Sequence, residues 1–386
     1  MRILFCRWNN ICELDMKAAF LSLGHDVGEL NQKIESVDYD KAYVEVLSQK
    51  LLDSSYDIVF SVNFIPVIAR VCKVCRVIYL SWTVDSPLFQ FYSDTVYYEC
   101  NRIFIFDYMI YRQFAYKNPE RIFYMPLAAN VEYLDGMVPG DKEMERFSSD
   151  ISFVGSLYSE KCRYNSMVGQ MPDYIRGYVD GLIEAQLRIY GYNLIQDVIT
   201  EDFAQSFKQY AGWFPLASDY CADDKAIVAQ EFIGMKCSEV ERKRLLKALS
   251  EQFEVYLYTL SDTTELKRVS NKGSAHSRLE MPYIFKCSKI NLNITAKTIQ
   301  SGLSQRIFDV LGAQGFLITN YQSEIPEYFE AGKDLVVYES EEDLLEKCRY
   351  YLEHEAERQE IALNGYRKVS QYHTYSIRMK EVLGRI

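Results

Sequence analysis

From its first residue the chain alternates short apolar runs with amphipathic stretches. Arg2–Cys6 reads as a buried strand. Cys12–Leu23 follows as a helix, with Met16, Ala19, Phe20 and Leu23 on one face. Gly24 stops it. Asp57–Val62, Val77–Trp82 and Arg102–Phe106 are continuous apolar runs separated by helical stretches, the pattern of parallel strands buried on both faces. Pro126 and the turn chemistry of Pro139-Gly140-Asp141 mark a boundary.

A second alternation begins at Asp150–Val154, which Gly155 follows directly. The helical stretch Glu160–Ala248 is too long for one crossover helix and reads as an insertion. Strands are expected again at Phe253–Thr259, at Lys289–Thr295 with Ile290, Leu292 and Ile294 alternating, at Phe316–Thr319 and at Val336–Tyr338. Ser304–Ala313 should be a helix between two of them. Ser340 should cap Glu341–Leu352, with Asp343 completing a capping box and Leu344, Leu345, Cys348 and Tyr351 as the buried stripe. Ala362–Leu383 continues as helix.

This rhythm divides the chain into residues 1–140, an N-terminal Rossmann-like domain, and 141–365, a C-terminal Rossmann-like domain with a helical insertion at about 160–248. Residues 366–386 form a C-terminal helix that could pack back on the first domain. Such α/β halves place ligands beyond the carboxyl ends of their strands, and a cleft between two of them suits a small molecule.

Composition narrows the functional classes. The 386 residues carry a net charge of −11, which argues against sequence-independent nucleic-acid binding and weakly against adhesion to anionic membranes. No apolar run is long enough for a membrane span, although peripheral association stays open, and Arg7 ends the first apolar stretch too early for a signal peptide. The 10 cysteines are expected as thiols in a cytoplasmic protein. Cys72-Lys-Val-Cys75 has redox or half-zinc spacing, but no matching pair accompanies it, so two packed thiols are the plainer reading.

Against the overall acidity, Lys267, Arg268, Lys272, Arg278, Lys286, Lys289, Lys297 and Arg306 form a run interrupted only by the acid Glu280. Adjacent phosphates need such compensation, and the apolar strand inside the run favours a cleft over an open face. Ser301, Gly302 and Ser304 open a helix whose backbone N–H groups could bind phosphate. Arg306 in its first turn could add a bidentate contact, and Asp309 could accept from sugar or ribose hydroxyls. Simple capping by the serines is the competing reading. Gly155 could let the backbone approach a phosphate. Trp82-Thr-Val-Asp-Ser-Pro87 follows a strand and offers Asp85 as a base, unless Asp85 or Ser86 caps a helix with Pro87 in its first turn. The four histidines show no metal-ligand spacing, and there is no Asp-x-Asp, so no metal site is expected; His276 lies in the basic run.

The stretch Ser304-Gln-Arg-Ile-Phe-Asp-Val-Leu-Gly-Ala-Gln-Gly-Phe-Leu-Ile-Thr319, continuing through Glu324-Ile-Pro-Glu-Tyr-Phe-Glu-Ala-Gly-Lys333, resembles the C-terminal half of the CgeB-like (spore maturation protein) glycosyltransferases. Asp57-Ile-Val-Phe-Ser61 and Trp82–Pro87 resemble the clostridial N-terminal domain that accompanies it, and Asp150-Ile-Ser-Phe-Val-Gly-Ser156 fits the resemblance too, which implies that 1–140 is the acceptor-side domain and 141–365 the donor-binding domain. The resemblance implies a GT-B fold, α/β with two facing Rossmann-like domains, and metal-independent transfer from a nucleotide-sugar, UDP- or GDP-linked, without a further cofactor. It implies that Asp309 holds the donor ribose, that Arg306 lies near the diphosphate, that Gly155 faces the donor, and that Asn291 and Asn293 precede the site, with Arg278 and His276 from the basic run beside it. Many retaining GT-B enzymes carry two glutamates with seven residues between them. Here Asp309 fills the second position and Ser301 the first. An inverting enzyme needs a base from the N-terminal half, with Asp85 the first candidate and Asp15 the weaker. The acceptor is a protein or a glycan. A non-catalytic nucleotide- or sugar-binding partner in a surface-glycan or spore-coat assembly is the alternative.

Overall fold

The structure is a computed structural model that describes residues 1–211 and 223–386. The chain forms two compact units, one of Met1–Ala128 with His373–Ile386, the other within residues 129–372.

The first unit is a six-stranded parallel sheet in the order β2-β1-β3-β4-β5-β6. Its strands are Arg2–Arg7 (β1), Asp26–Asn31 (β2), Ile58–Val62 (β3), Ile78–Trp82 (β4), Asn101–Ile105 (β5) and Ile122–Tyr124 (β6). All five residues of β3 are buried because helices cover both sheet faces. Val59, Phe64, Ile68, Tyr79 and Ile103 lie in the core on one face. The outer strands β2 and β6 are absent from the pattern of apolar runs. β2 reads Asp-Val-Gly-Glu-Leu-Asn and β6 has three residues, as suits edges half in water.

The helix Glu13–Ser22 buries Met16, Ala19 and Phe20, and Gly24 beyond it takes φ +81°, the left-handed stop expected there. Tyr375–Leu383 belongs to this unit and packs against Glu13–Ser22. Tyr375 meets Trp82 edge-on at 5.9 Å, and Arg378 Nε donates to the Pro126 carbonyl at 3.1 Å.

The second unit is a six-stranded parallel sheet in the order β12-β11-β10-β7-β8-β9. Its strands are Ser149–Val154 (β7), Val255–Tyr258 (β8), Ser270–Asn271 (β9), Ser288–Asn293 (β10), Leu317–Asn320 (β11) and Val336–Tyr338 (β12). Residues 160–248 are helical where described, in short pieces that include Asp173–Gln186 and Met235–Ser250; positions 212–222 lie outside the described residues. Ser340 caps Glu341–Glu353 by accepting from the Asp343 amide. The Asp343 carboxylate, however, accepts from the Glu339 amide, so the expected box closes one residue earlier. Leu344, Cys348 and Tyr351 are buried and Leu345 half-buried.

Glu239, on Met235–Ser250, ties this helix to the short helix Tyr164–Met167. Its carboxylate accepts from Asn165 Nδ2 at 2.8 Å and pairs with Lys236 at 2.9 Å and Lys243 at 3.0 Å. Burial alone would raise its pKa, but these donors hold it at about 2, below the ordinary 4.5. A group depressed in the folded state stabilises above its unfolded value and loses that contribution as pH falls through the folded one. Urea unfolding should therefore show stability lost progressively from about pH 4.5 down to about 2. Glu239→Gln should flatten that acid limb, and an unchanged limb would contradict the assignment.

Candidate functional site

In the second sheet β7 leads to β8 and β9 on one side, while β10, β11 and β12 lie on the other. The strand order reverses between β7 and β10, and a crevice at such a switch point, beyond the strands' carboxyl ends, is where open α/β sheets bind ligands. At this point lies Arg242, buried and reaching in from Met235–Ser250. Its two terminal nitrogens donate to the Ser156 carbonyl after β7 at 2.5 Å and to the Ile294 carbonyl after β10 at 2.6 Å. Its guanidinium lies 5.3 Å from the Phe153 ring centre and 4.5 Å from that of Tyr158. One side chain thus braces both loops that border the crevice. Gly155 sits on one of them, its amide donating to Tyr258; a Cβ there would meet Phe153 at an ordinary 3.5 Å.

The preceding residue of the helix, Glu241, forms a buried ion pair with Lys297, with Nζ 2.9 Å from Oε1. The approach lacks hydrogen-bond alignment, leaving the pair held by charge. Lys297 Nζ also lies 4.4 Å over the Tyr190 ring.

Beyond β10 and β11 the loops are polar yet buried, and their side chains satisfy one another. Asn293 Nδ2 donates to Thr319 at 2.9 Å and to Thr295 at 3.0 Å, while its Oδ1 accepts from Ser304 at 3.2 Å. Asn320 Oδ1 accepts from the Thr295 amide at 2.7 Å, and Gln322 Nε2 donates to the Gly302 carbonyl at 3.2 Å. This network fixes the loop that leads into Gln305–Gly312 before any ligand arrives.

Ser304 is the N-cap residue of that helix, but its hydroxyl turns to Asn293 instead of to the helix amides. Ser301 donates to Glu324 Oε1 at 2.6 Å. Simple capping therefore does not describe either serine. A buried carboxylate also reaches the Ser301 position from another loop, since Glu324 follows β11. In the helix, Arg306 pairs with Asp309 at 3.2 Å and Gln305 donates to the other Asp309 oxygen at 2.8 Å. Both side chains are about a fifth exposed, Arg306 at 19% and Asp309 at 24%, so a ligand can reach them. Arg306 also rests over Phe285.

Ser301, Gly302, Ser304, Asn293, Arg306 and Asp309 are thus brought together. Asn291 is not offered to that group. Its side-chain carbonyl accepts from the Ser152 hydroxyl at 2.9 Å, and its side-chain amide donates to the backbone carbonyls of Phe285, in the helix Met281–Cys287, and of Phe316, just before β11. It locks β10 to its neighbours. His276 and Arg278 lie in the loop between β9 and the helix Met281–Cys287. His276 Nδ1 accepts from the Arg278 amide, and the Arg278 guanidinium stacks 3.8 Å from the Tyr133 ring centre.

The basic run also separates. A strand carries its two ends apart at about 3.3 Å per residue, so charges that flank β10 fall on opposite edges of the sheet. Lys289 is at the amino end, paired with Asp150 at 2.7 Å. Lys272 lies over Tyr256, and burial lowers the pKa of Lys286. Lys297 and Arg306 remain at the carboxyl side, each facing a carboxylate. A single cationic cleft is not what the run builds.

In the first unit the reversal lies between β1 and β3. Glu13 there is fully buried, accepting from the Trp8 amide at 2.7 Å and pairing with Arg7 at 3.1 Å. Asp15 is half-buried in the same first helical turn. Asp85 follows β4 and is exposed. Asn63, at φ +59° after β3, donates to Asp85 Oδ2 at 2.6 Å and accepts from the Val84 and Asp85 amides. The next helical turn, Phe89–Tyr92, has Leu88 as its N-cap residue, so neither Asp85 nor Ser86 serves as its cap. The Cys72 and Cys75 thiols lie on the helix Pro66–Cys75, and the described cysteines are all free. Among the described residues no cluster of three or more His, Cys, Asp or Glu could hold a metal, and no helix is long and apolar enough to cross a membrane.

Sequence reasoning missed Arg242, Glu241, Glu324 and Glu13. Arg242 could not have been singled out, because its partners are carbonyls 86 and 52 residues away. Glu324 stood inside a quoted motif, but nothing local marked it as Ser301's partner.

Residues 242–384 match the family model described as glycosyl transferase-like, a segment that opens on Arg242 and includes the loops after β10 and β11 and the helix Gln305–Gly312, but not the loop after β7. No curated protein matches the chain. Among solved structures, the Anabaena protein HepE in complex with UDP-glucose is similar, with TM-score 0.58 at 11% identity and 100% of each chain covered. A glycosyltransferase from Rickettsia africae gives 0.56 at 10% identity, covering 99% of this chain and 98% of that one. Sucrose-phosphate synthase from Thermosynechococcus elongatus gives 0.55 at 8% identity, covering 100% and 98%. The fold is that of the GT-B glycosyltransferases, two α/β units each built on a parallel sheet.

Proposed function

We propose that the chain transfers a sugar from a nucleoside-diphosphate donor, bound in the second unit, to a protein or glycan acceptor. The observation that carries this reading is the braced switch point. Arg242 spans the loops after β7 and β10, and a buried polar network delivers Gln305–Gly312 with Arg306 and Asp309 at its mouth. That HepE is described in complex with UDP-glucose supports a UDP-linked donor.

The roles follow from charge. Amides at the start of Gln305–Gly312 and the Arg306 guanidinium face the diphosphate and stabilise the negative charge that develops as it leaves. Arg306 exchanges part of its pairing with Asp309 for phosphate, and Asp309 turns to the ribose hydroxyls. No metal or other cofactor is required, since arginine and helix dipole supply the positive charge. Asp85, oriented by Asn63, is the candidate base on the acceptor side, and Asp15 the weaker one. Within the GT-B class we place the chain with the CgeB-like enzymes and in the cytoplasm.

Asp309→Ala should weaken UDP or GDP binding by about 1–3 kcal/mol, the scale of lost hydroxyl hydrogen bonds. Calorimetric titration of both nucleotides checks this. Unchanged affinity would remove Asp309 from the site, and no binding of either nucleotide would remove the donor assignment. A non-catalytic binding role is the second reading. It is favoured by the serine at position 301 and by the carboxylate of Asp309 being already met by Arg306 and Gln305. Binding without turnover of any nucleotide-sugar would select it.

A further inference from the structure

At the opposite, amino-terminal edge of the first sheet lies a cavity of about 500 Å³ that plays no part in the reading above. Its walls come from the end of Pro66–Cys75 and from the segments entering β4, β5 and β6. Lys73, Arg76 and Arg121 line it, with Tyr97, Tyr98 and one acid, Glu99. Arg102 lies alongside, close enough to Arg121 that, after burial, this like charge lowers its pKa. Burial raises that of the Cys100 thiol in the wall, while Lys73, Arg102 and Arg121 act to lower it, which places all three cations around one point.

Four cations converge here in a chain of net charge −11. Among the described residues none of them forms an ion pair with a carboxylate, Glu99 included. Lys73 lies 4.0 Å over the Tyr98 ring, and Arg102 donates to the backbone carbonyls of Glu99, Asn101 and Arg385. The carboxyl end of the helix Pro66–Cys75 accounts for Lys73 and Arg76, since cations are favoured there. It does not account for Arg121 or Arg102, which other elements bring to the same place. Like charges held together without counter-charge are costly, and an anion in the cavity relieves that cost. The volume lies within the range of small-molecule sites, and the two tyrosines add apolar walls.

We propose that this cavity is a second anion site that takes a phosphorylated ligand, engaged by Arg76, Lys73 and Arg121. It is separate from the donor site. It opens at the amino ends of its strands in the first unit, whereas the donor site lies at the carboxyl ends of strands in the second. The phosphate belongs either to a soluble ester or to a lipid headgroup, two sources of the same chemistry.

The test titrates inorganic pyrophosphate into the full chain, with UDP in excess to occupy any nucleotide site. It compares wild type with the double variant Arg76→Glu/Arg121→Glu and with a charge-matched control, Lys33→Glu/Lys41→Glu, elsewhere on the first unit. Loss of at least about tenfold in affinity in the first variant, and not in the control, is expected when two charge-assisted contacts are reversed. Sedimentation with phosphatidylcholine vesicles, with and without phosphatidylglycerol, separates the sources. Binding that needs the anionic lipid and falls in Arg76→Glu/Arg121→Glu identifies a headgroup, and pyrophosphate binding alone identifies a soluble ester. Equal affinity in all three proteins, an equal fall in variant and control, or no binding of either probe to wild type overturns the proposal. Circular dichroism of each variant separates lost binding from lost folding. Should the double variant unfold, Arg76→Ala carries the same comparison at an exposed position.

Discussion

Replacing Arg242 by methionine should cost about 2–5 kcal/mol of stability, because two carbonyls lose charged donors in a buried place and each unmet group costs about 1–3 kcal/mol. The carbonyls are those of Ser156 and Ile294, on either side of the switch point. Methionine keeps much of the packing over Phe153 and Tyr158, so the loss isolates the two hydrogen bonds. Arg242→Lys should recover only part of it, since one ammonium does not reproduce a planar fork that spans two loops. Urea unfolding of the three proteins gives the comparison. Nucleotide affinity should fall with it, as the loops bearing Gly155 and Thr295 lose their common brace. A methionine variant as stable as wild type would mean that the brace is incidental.

The neighbouring pair is expected to be as demanding. Glu241→Gln leaves the Lys297 ammonium without its counter-charge, and Lys297→Met does the same to the carboxylate. Breaking a buried pair from one side costs about 3–5 kcal/mol. Both side chains are under a tenth exposed, Lys297 at 9% and Glu241 at 3%, so water offers little compensation. The double change Glu241→Leu/Lys297→Met should recover most of the loss, because it removes both charges together. A thermodynamic cycle over the four proteins measures the coupling. Single variants that each cost less than about 1 kcal/mol would show the pair to be solvated instead.

What the sequence made legible was whatever is local. The alternation of Ile290, Leu292 and Ile294 placed β10, Ser304 marked the start of Gln305–Gly312, and Gly24 and Ser340 marked helix limits at their proper residues. β2 and β6 escaped because an edge strand needs no continuous apolar run. The basic run from Lys267 to Arg306 looked like one feature along the chain, but β10 passes through it and parts Lys289 from Lys297. Asn291 and Asn293 looked equivalent two residues apart. One is used to bind sheet neighbours and the other to hold the loop at the site. Arg242 was the largest omission, since a helical arginine becomes a brace only once loops from two distant strands are set beside it. The candidate donor group was therefore visible in part, as Ser301–Asp309, while the residues that hold it in place were not.

The account's central claim is that the second unit binds a nucleotide-sugar for transfer. The most direct measurement is release of free nucleoside diphosphate from a panel of UDP- and GDP-sugars, with wild type beside Asp309→Ala. Release from at least one donor by wild type, and a lower rate at subsaturating donor in the variant, is the result the account predicts. No release from any donor, together with no calorimetric binding of UDP or GDP, would contradict it.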